Sequence, residues 1–387
     1  MRKLIILLIF PFLTLQLYAQ ETELFGYFEP QIMGFKLKNE FLQLSSNKLR
    51  IDLKADFSDR ASFGANFDYI TYHGKVIFQM LDFLPASVTK EIPDSLWYLY
   101  TLPFKDRNFL DNAYLRMSFR YADLTIGKQQ ISLGAGYAWN PTDIFNFKDV
   151  LDPTYEQPGH NAVRLDIPIG LKYKMLFIYS PENNWRNSAK LIQFKGGFRH
   201  FDYSLIAIER NWIFYNYYTF QPIIQKRNLF GGDFAGEIFG AGIWGEIAYN
   251  RMEITENYWE SVFGIDYTLD SGTYIMSEYY RNTSGKTDYK KYDLNDWIRY
   301  ISAETKTISR DQFYFYINHP TTDLLNTGCS VIFNLNDESI AVVPSVVYNI
   351  FENVDLTFFG NFYIGRSGTT YASNMGNGGL ARARVYF

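Results

Sequence analysis

Cysteine is nearly absent. The single Cys329 in 387 residues leaves no disulfide framework and no cysteine-based zinc site. Its neighbours alternate so that the thiol falls on an apolar strand face, where packing or lipid contact is the simplest role. The four histidines, His73, His160, His200 and His319, are scattered and never spaced i, i+4. They suggest neither a metal site nor a Ser-His catalytic pair, and no cofactor is expected. Beyond residue 20 no run approaches the roughly 18 consecutive apolar residues that a spanning helix needs. Charge is balanced at 37 basic against 41 acidic residues, a net of −4, which implies no nucleic-acid partner.

Aromatic residues, by contrast, are abundant: 34 Phe, 31 Tyr and 7 Trp. Such an excess suits aromatic girdles at two membrane interfaces. Residues 1–20 pass from Met-Arg-Lys through Leu-Ile-Ile-Leu-Leu-Ile-Phe to Leu-Tyr-Ala-Gln. This is the pattern of a cleaved export signal, so residues 21–387 are expected to form one exported domain, cut near Ala19.

Period-2 alternation then dominates. Between Asn47 and Phe57, Leu49, Ile51, Leu53, Ala55 and Phe57 share one face, opposite Lys48, Arg50, Asp52, Lys54 and Asp56. The same pattern recurs at 113–121, 312–318 and 354–364, at the roughly ten-residue length of a membrane-spanning strand. Counting it through the chain places strands at 24–33, 46–57, 61–71, 111–121, 123–132, 161–168, 170–181, 189–200 and 202–211. The second half adds 228–239, 241–251, 259–269, 272–282, 311–318, 325–334, 338–349, 353–364 and 379–387. The fold expected is all-β: a transmembrane antiparallel barrel of about eighteen strands, an even number as single-chain bacterial barrels require. Sixteen stays open because the links at Asn336-Asp337 and His319–Leu324 have unexpected lengths. Tight turns alternate with long segments at 72–110, 133–160, 212–227 and 283–310, which are expected to be short periplasmic turns and long outer loops. Pro344, in the middle of a strand, predicts a bulge.

The segment Gly379-Leu-Ala-Arg-Ala-Arg-Val-Tyr-Phe387 puts Phe387, Val385, Ala383 and Ala381 on one face and Arg384 and Arg382 on the other. It resembles the closing strand of bacterial outer-membrane barrels. That resemblance implies membrane lipid as a partner and recognition by the barrel-assembly machinery through Phe387. A second stretch runs Gly127-Lys-Gln-Gln, then Gly134-Ala-Gly136, then Asn140-Pro141-Thr142-Asp143, with Gln157-Pro-Gly159 and Arg164 beyond it. It resembles a segment of Gram-negative porin-like barrels broadly akin to alginate-export and related porin families, over about forty residues. Apart from any family, the glycines permit unusual backbone angles, Asn140-Pro141 stops a strand and Asp143 can cap a turn. An ordered outer loop is expected, either folded into the pore or sealing the rim. The Gly285-Lys286-Thr287 fragment lacks the first glycine of a phosphate loop, since Tyr280 stands there, and carries no such function.

Sorting inward-facing positions gives a basic wall of Lys48, Arg50, Lys54, Arg116, Arg120, Arg164, Arg382 and Arg384, with Lys172, Lys174, Lys195 and Arg199. An acidic wall of Asp233, Glu237, Glu246, Asp266 and Glu278 faces it. Such a transverse field would attract anions to one side of a wet pore. The function expected is a porin-like passive channel for small hydrophilic solutes, anions included, with no catalysis. The alternative is a non-conducting surface barrel that binds, exports or organises polysaccharide through the aromatic segments Trp97–Tyr100 and Trp212–Tyr218. The sequence leaves the oligomeric state open.

Overall fold

The computed structural model describes residues 20–38, 40–90, 92–148, 150–151 and 156–387. The proposed export signal, all but its last residue, lies outside them. The alternating segments become eighteen antiparallel strands. The first nine are β1 (Glu21–Leu37), β2 (Glu40–Ser58), β3 (Ala61–Gly74), β4 (Arg107–Ser118), β5 (Asp123–Gln129), β6 (His160–Ile169), β7 (Tyr173–Ser180), β8 (Ala189–Phe198) and β9 (Phe201–Asn216). The rest are β10 (Gln221–Ile238), β11 (Ala241–Met252), β12 (Tyr258–Thr268), β13 (Tyr274–Asn282), β14 (Asp311–Thr322), β15 (Leu325–Asn334), β16 (Ser339–Phe351), β17 (Val354–Ile364) and β18 (Asn377–Tyr386). Each strand pairs with the next, and β18 pairs with β1, so the sheet closes into a barrel without a free edge. At the seam, Gly26 and Phe387 exchange two backbone hydrogen bonds, at 3.0 and 3.1 Å.

Closure satisfies every ladder internally, which is what allows strands to cross a bilayer. The outer surface fits that solvent: Phe28, Ile32, Leu205, Phe263 and Phe358 all point outward and exposed. Near the short turns, Phe119, Phe198, Phe239, Tyr267, Phe351 and Phe387 form an exposed aromatic belt. The chain is therefore an outer-membrane-type barrel.

Several boundaries differ from the sequence reading. The β9–β10 hairpin continues to Asn216 and Gln221, so most of the expected loop 212–227 is strand. Above the bilayer a strand no longer needs a lipid-facing apolar side, and its alternation fades. β14 extends to Thr322, which shortens the ambiguous inner link to Asp323–Leu324 and favours eighteen strands over sixteen. The bulge expected at Pro344 is not there. Cys329 pairs with Pro344 in register, and the pairs Val342–Phe362 and Ser345–Phe359 lie in one register across β17. Pro344 faces outward, and its missing donor coincides with a gap in that ladder. A register shift does occur where β3 meets β4, between Asn66 and Phe67. It leaves the adjacent Asp111 and Asn112 both buried.

At the long-loop end, residues 75–106 carry a two-stranded ribbon, Ile77–Gln79 with Thr101–Pro103. They pack with the segment 283–310, which contains α1 (Leu294–Ile301), around Leu81, Leu84, Tyr100, Leu294, Trp297 and Ile298. Asp293 and Asp296 form a capping box that starts α1. Lys286, from the rejected phosphate-loop fragment, is spent on Asp293 (3.0 Å), Asp296 and the Lys291 carbonyl (2.8 Å).

A loop held across the lumen as the candidate functional site

The connection from β5 to β6, residues 130–159, does not stay at the rim. It enters the barrel and touches nearly every wall. Gly134 has φ +79, and a Cβ there would collide with the Glu246 carboxylate, so only glycine fits. The turn beyond it offers its backbone donors to two acids. Glu246 in β11 accepts from Ala135 (3.0 Å), Gly136 (3.2 Å) and Thr142. Glu278 in β13 accepts from Tyr137 (2.6 Å), Ala138 (3.0 Å) and Trp139 (2.9 Å), and also from the Trp244 indole (2.8 Å). Both carboxylates are buried. A buried charge is stable only when hydrogen bonds replace its lost hydration, and here the loop backbone supplies them.

The Asn140–Asp143 motif is a knot inside this loop. Asn140 donates to the Leu133 carbonyl at 2.9 Å, and Asp143 Oδ1 accepts from the amides of Phe145 (2.9 Å) and Asn146 (3.0 Å). Pro141 does not stop a strand as expected: β5 already ends at Gln129, and residues 130–140 are irregular. Burial pushes the Asp143 carboxyl above its usual range, while the bonds from Asn146 and Phe145 pull it back. Lys148 donates to the carbonyls of Gly136 (2.7 Å) and Tyr137 (2.9 Å), and burial lowers its ammonium. Apolar contacts complete the anchorage. Ile131, Leu133, Ile144 and Phe145 pack on Leu176, Ile178, Leu191, Ile206 and Leu229, while Trp139 stacks on Tyr280 at 5.2 Å.

Glu156, later in the same connection, stands at the opposite wall. Glu156 lies 2.7 Å from Lys48, 3.4 Å from Arg50 and 3.4 Å from Arg384, and accepts from the Tyr27 hydroxyl at 2.7 Å. Burial raises the Glu156 carboxyl, but the Lys48 hydrogen bond and charge, with Tyr27 and Arg384, hold it below the usual carboxylate range. The Gly159 amide donates to Asp111 at 3.2 Å, where the loop rejoins the wall.

The charges read from the sequence divide into three groups. Lys48, Arg50, Arg382 and Arg384 do meet inside the lumen, but they are paired. Arg50 reaches Asp52 (2.9 Å) and Asp111 (3.5 Å), Arg382 reaches Gln31 (2.9 Å) and Glu29 (3.5 Å), and Arg384 reaches Glu29 (2.5 Å). On the far wall, Asp233 accepts from Ser204 and Asp266 from Tyr274 (2.9 Å), while Glu246 and Glu278 clamp the loop. Glu237 is exposed near the short turns. A third group surrounds a cavity of about 760 Å³ towards the short-turn end, lined by Arg50, Lys54, Arg116, Arg164 and Lys174 against Asp123 and Asp166. Arg120, Lys172 and Arg199 are not on this wall; they lie in short turns, Arg120 over the Tyr121 ring. Their sequence reads as strand because alternation continues one or two residues past the last ladder pair.

Glu156 was missed by sequence reading because it sits in an irregular segment where alternation carries no facing information. Arg210 was missed as well; it donates to the Ile144 carbonyl and covers Phe145 at 4.7 Å. The aromatic segments of the polysaccharide alternative are mostly packed. Tyr100 packs tilted against Phe220 (5.2 Å), Trp212 lies against Phe214 (5.1 Å) and Arg227 (5.6 Å), and Tyr98 and Tyr218 remain exposed.

No known family profile matches the sequence, and no curated protein matches it. Solved structures do match in fold. OccAB1 of Acinetobacter baumannii superposes with a TM-score of 0.60 at 10% identity, over 96% of this chain and 97% of that one. OccK5 (OpdH) of Pseudomonas aeruginosa gives 0.57 at 8% over 96% and 98%, and OprD of Pseudomonas aeruginosa 0.57 at 8% over 96% and 94%. The chain shares the fold of these Gram-negative outer-membrane porin-like barrels.

Proposed function

We propose that the chain is an outer-membrane channel for small hydrophilic solutes, narrowed by the 130–159 loop and favouring anions. The observation that carries the anion preference is the cavity towards the short turns, where Lys54, Arg116, Arg164 and Lys174 face two carboxylates, Asp166 pairing with Arg164 and Lys174 at 2.7 Å and Asp123 with Arg116 at 3.3 Å, which leaves positive charge in excess there. Lys48, Arg50, Arg382 and Arg384 contribute less, because Glu29, Asp52, Asp111 and Glu156 surround them. In a wet pore an opposite-charge contact is worth roughly 1 kcal/mol, more where walls exclude water. The preference should therefore be modest and fade as salt shortens the screening length.

Recording in planar bilayers tests both halves. The expected result is discrete conductance steps and a reversal potential displaced towards anions at low salt. Replacing Arg116 and Arg164 together by Gln should move that potential towards cations and leave conductance intact. A silent bilayer would overturn the channel, while unchanged selectivity in the double variant would overturn the assignment to this cavity.

A further inference from the structure

On the bilayer side of the closing seam, Gly34 of β1 pairs with Gly379 of β18, which pairs in turn with Gly360 of β17. All three face outward, since their neighbours Phe35, Leu380 and Phe359 are buried inside. The Phe41 ring lies over Gly34 and the Phe362 ring over Gly360, so close that a Cβ at either glycine would meet them at 2.6 and 2.7 Å. No ring covers Gly379, where a Cβ would meet only backbone atoms. With Ala381 it floors a groove of about 590 Å³, walled by Ile32 and Phe41 on one side and by Pro344, Val346 and Phe358 on the other.

The outer end of this groove is cationic. Lys36, opposite Phe41 in the ladder, is exposed, and so is Lys75, whose amide donates to the carbonyl of Gln43, the groove residue that pairs with Gly34. Neither lysine makes an ion pair among the described residues, whereas Lys38 in the adjoining turn is held by Asp82 at 2.7 Å. The neighbouring acid Glu40 falls on the other face of β2 by alternation. Height agrees with charge. Lys36 stands ten residues along β1 from Gly26, which is bonded to Phe387 of the aromatic belt. At about 3.3 Å per residue and a strand tilt of about 40° this is a rise of about 25 Å, the height of the apolar band. The lysines therefore stand at the outer headgroup level, with the groove in the acyl layer beneath them.

We infer that the groove binds a phosphorylated, multiply acylated lipid of the outer leaflet, with one acyl chain on Gly379 and Ala381 and a phosphate on Lys36 and Lys75. A recess admits a chain where a flat barrel face would only be wetted by many, and cations at headgroup height select the lipid that carries the anion. The inference rests on the outer-membrane placement of the barrel and does not require it to conduct.

The test uses the full barrel in detergent micelles, with bisphosphorylated lipid A and its phosphate-free form as probes, read by native mass spectrometry. Lipid A should bind saturably at one copy per barrel, and the phosphate-free form about tenfold more weakly or worse, as the loss of charge-assisted contacts to two lysines implies. Lys36→Gln together with Lys75→Gln should bring the two probes to similar affinity. Ala381→Phe, which fills the groove floor from the lipid side, should weaken both. If Ala381→Phe fails to assemble, the wild-type ratio and the lysine variant decide. Equal wild-type affinities, an unchanged ratio in the lysine variant, or full binding to Ala381→Phe would each overturn the inference. So would a barrel dimer that lipid A does not displace and Ala381→Phe abolishes, which would put a second copy of the chain in the groove.

Discussion

Glu278 accepts the backbone N–H of Trp139 at 2.9 Å, from a residue 139 positions earlier in the chain. That bond and its neighbours hold the lumen loop to the β11–β13 wall. Glu278→Ala or Glu246→Ala would strand several buried amides, each costing about 1–3 kcal/mol. We expect the loop to detach while the barrel still assembles. Proteolytic cleavage within 130–159 and a larger, noisier single-channel conductance should appear together; wild-type behaviour in both would sink the clamp.

Glu156 occupies the group of Lys48, Arg50 and Arg384, and Glu156→Gln should release their charge to the lumen. The reversal potential should shift further towards anions. Because its carboxyl is held below the usual range, the stabilisation from this contact is fully present above the ordinary carboxylate pKa, declines as pH falls below it and is gone once pH has passed the lowered value. Protease protection that wild type has over Glu156→Gln should therefore be constant above the ordinary carboxylate range and shrink below it, and a difference that does not change with acidification would contradict the pairing.

Asp143 lies in the buried knot with its carboxyl raised, so charge is not what the site needs most. Asp143→Asn keeps an acceptor for the Phe145 and Asn146 backbone amides but sets an NH2 against the Leu133 amide and the Asn146 side chain, which donate to Oδ2, and should lower thermal stability. Asp143→Ala removes it and should cost about 1–3 kcal/mol more. Unfolding temperatures measured side by side check the order, and equal losses would show that the hydrogen bonds are not what matters.

Strand facing is open to labelling. In a Cys329→Ala background, cysteines at Arg50 and Asp52 should react with a membrane-impermeant thiol reagent, and those at Ile51 and Leu53 should be shielded by lipid. The reverse order would shift β2 by one residue.

Much of the barrel is determined by local pattern. Lys48 to Phe57 alternates because two solvents meet the two faces of one strand, and that constraint is visible wherever a strand crosses the bilayer. Eighteen strands, their order and the facing of Arg50 or Arg382 follow from it. The same logic fails outside the bilayer. The Trp212–Gln225 region reads as loop although it is a hairpin, and Arg120 reads as wall although it turns away, because neither has lipid on one side to enforce the period. Glycine and the Asn140–Asp143 run announce an ordered loop, but not where it goes. Only the closed barrel decides that, by bringing Glu246, Glu278 and the Lys48–Arg384 group within reach of one segment. Buried carboxylates need donors, and a loop that crosses the lumen can supply them from walls that are far apart in sequence.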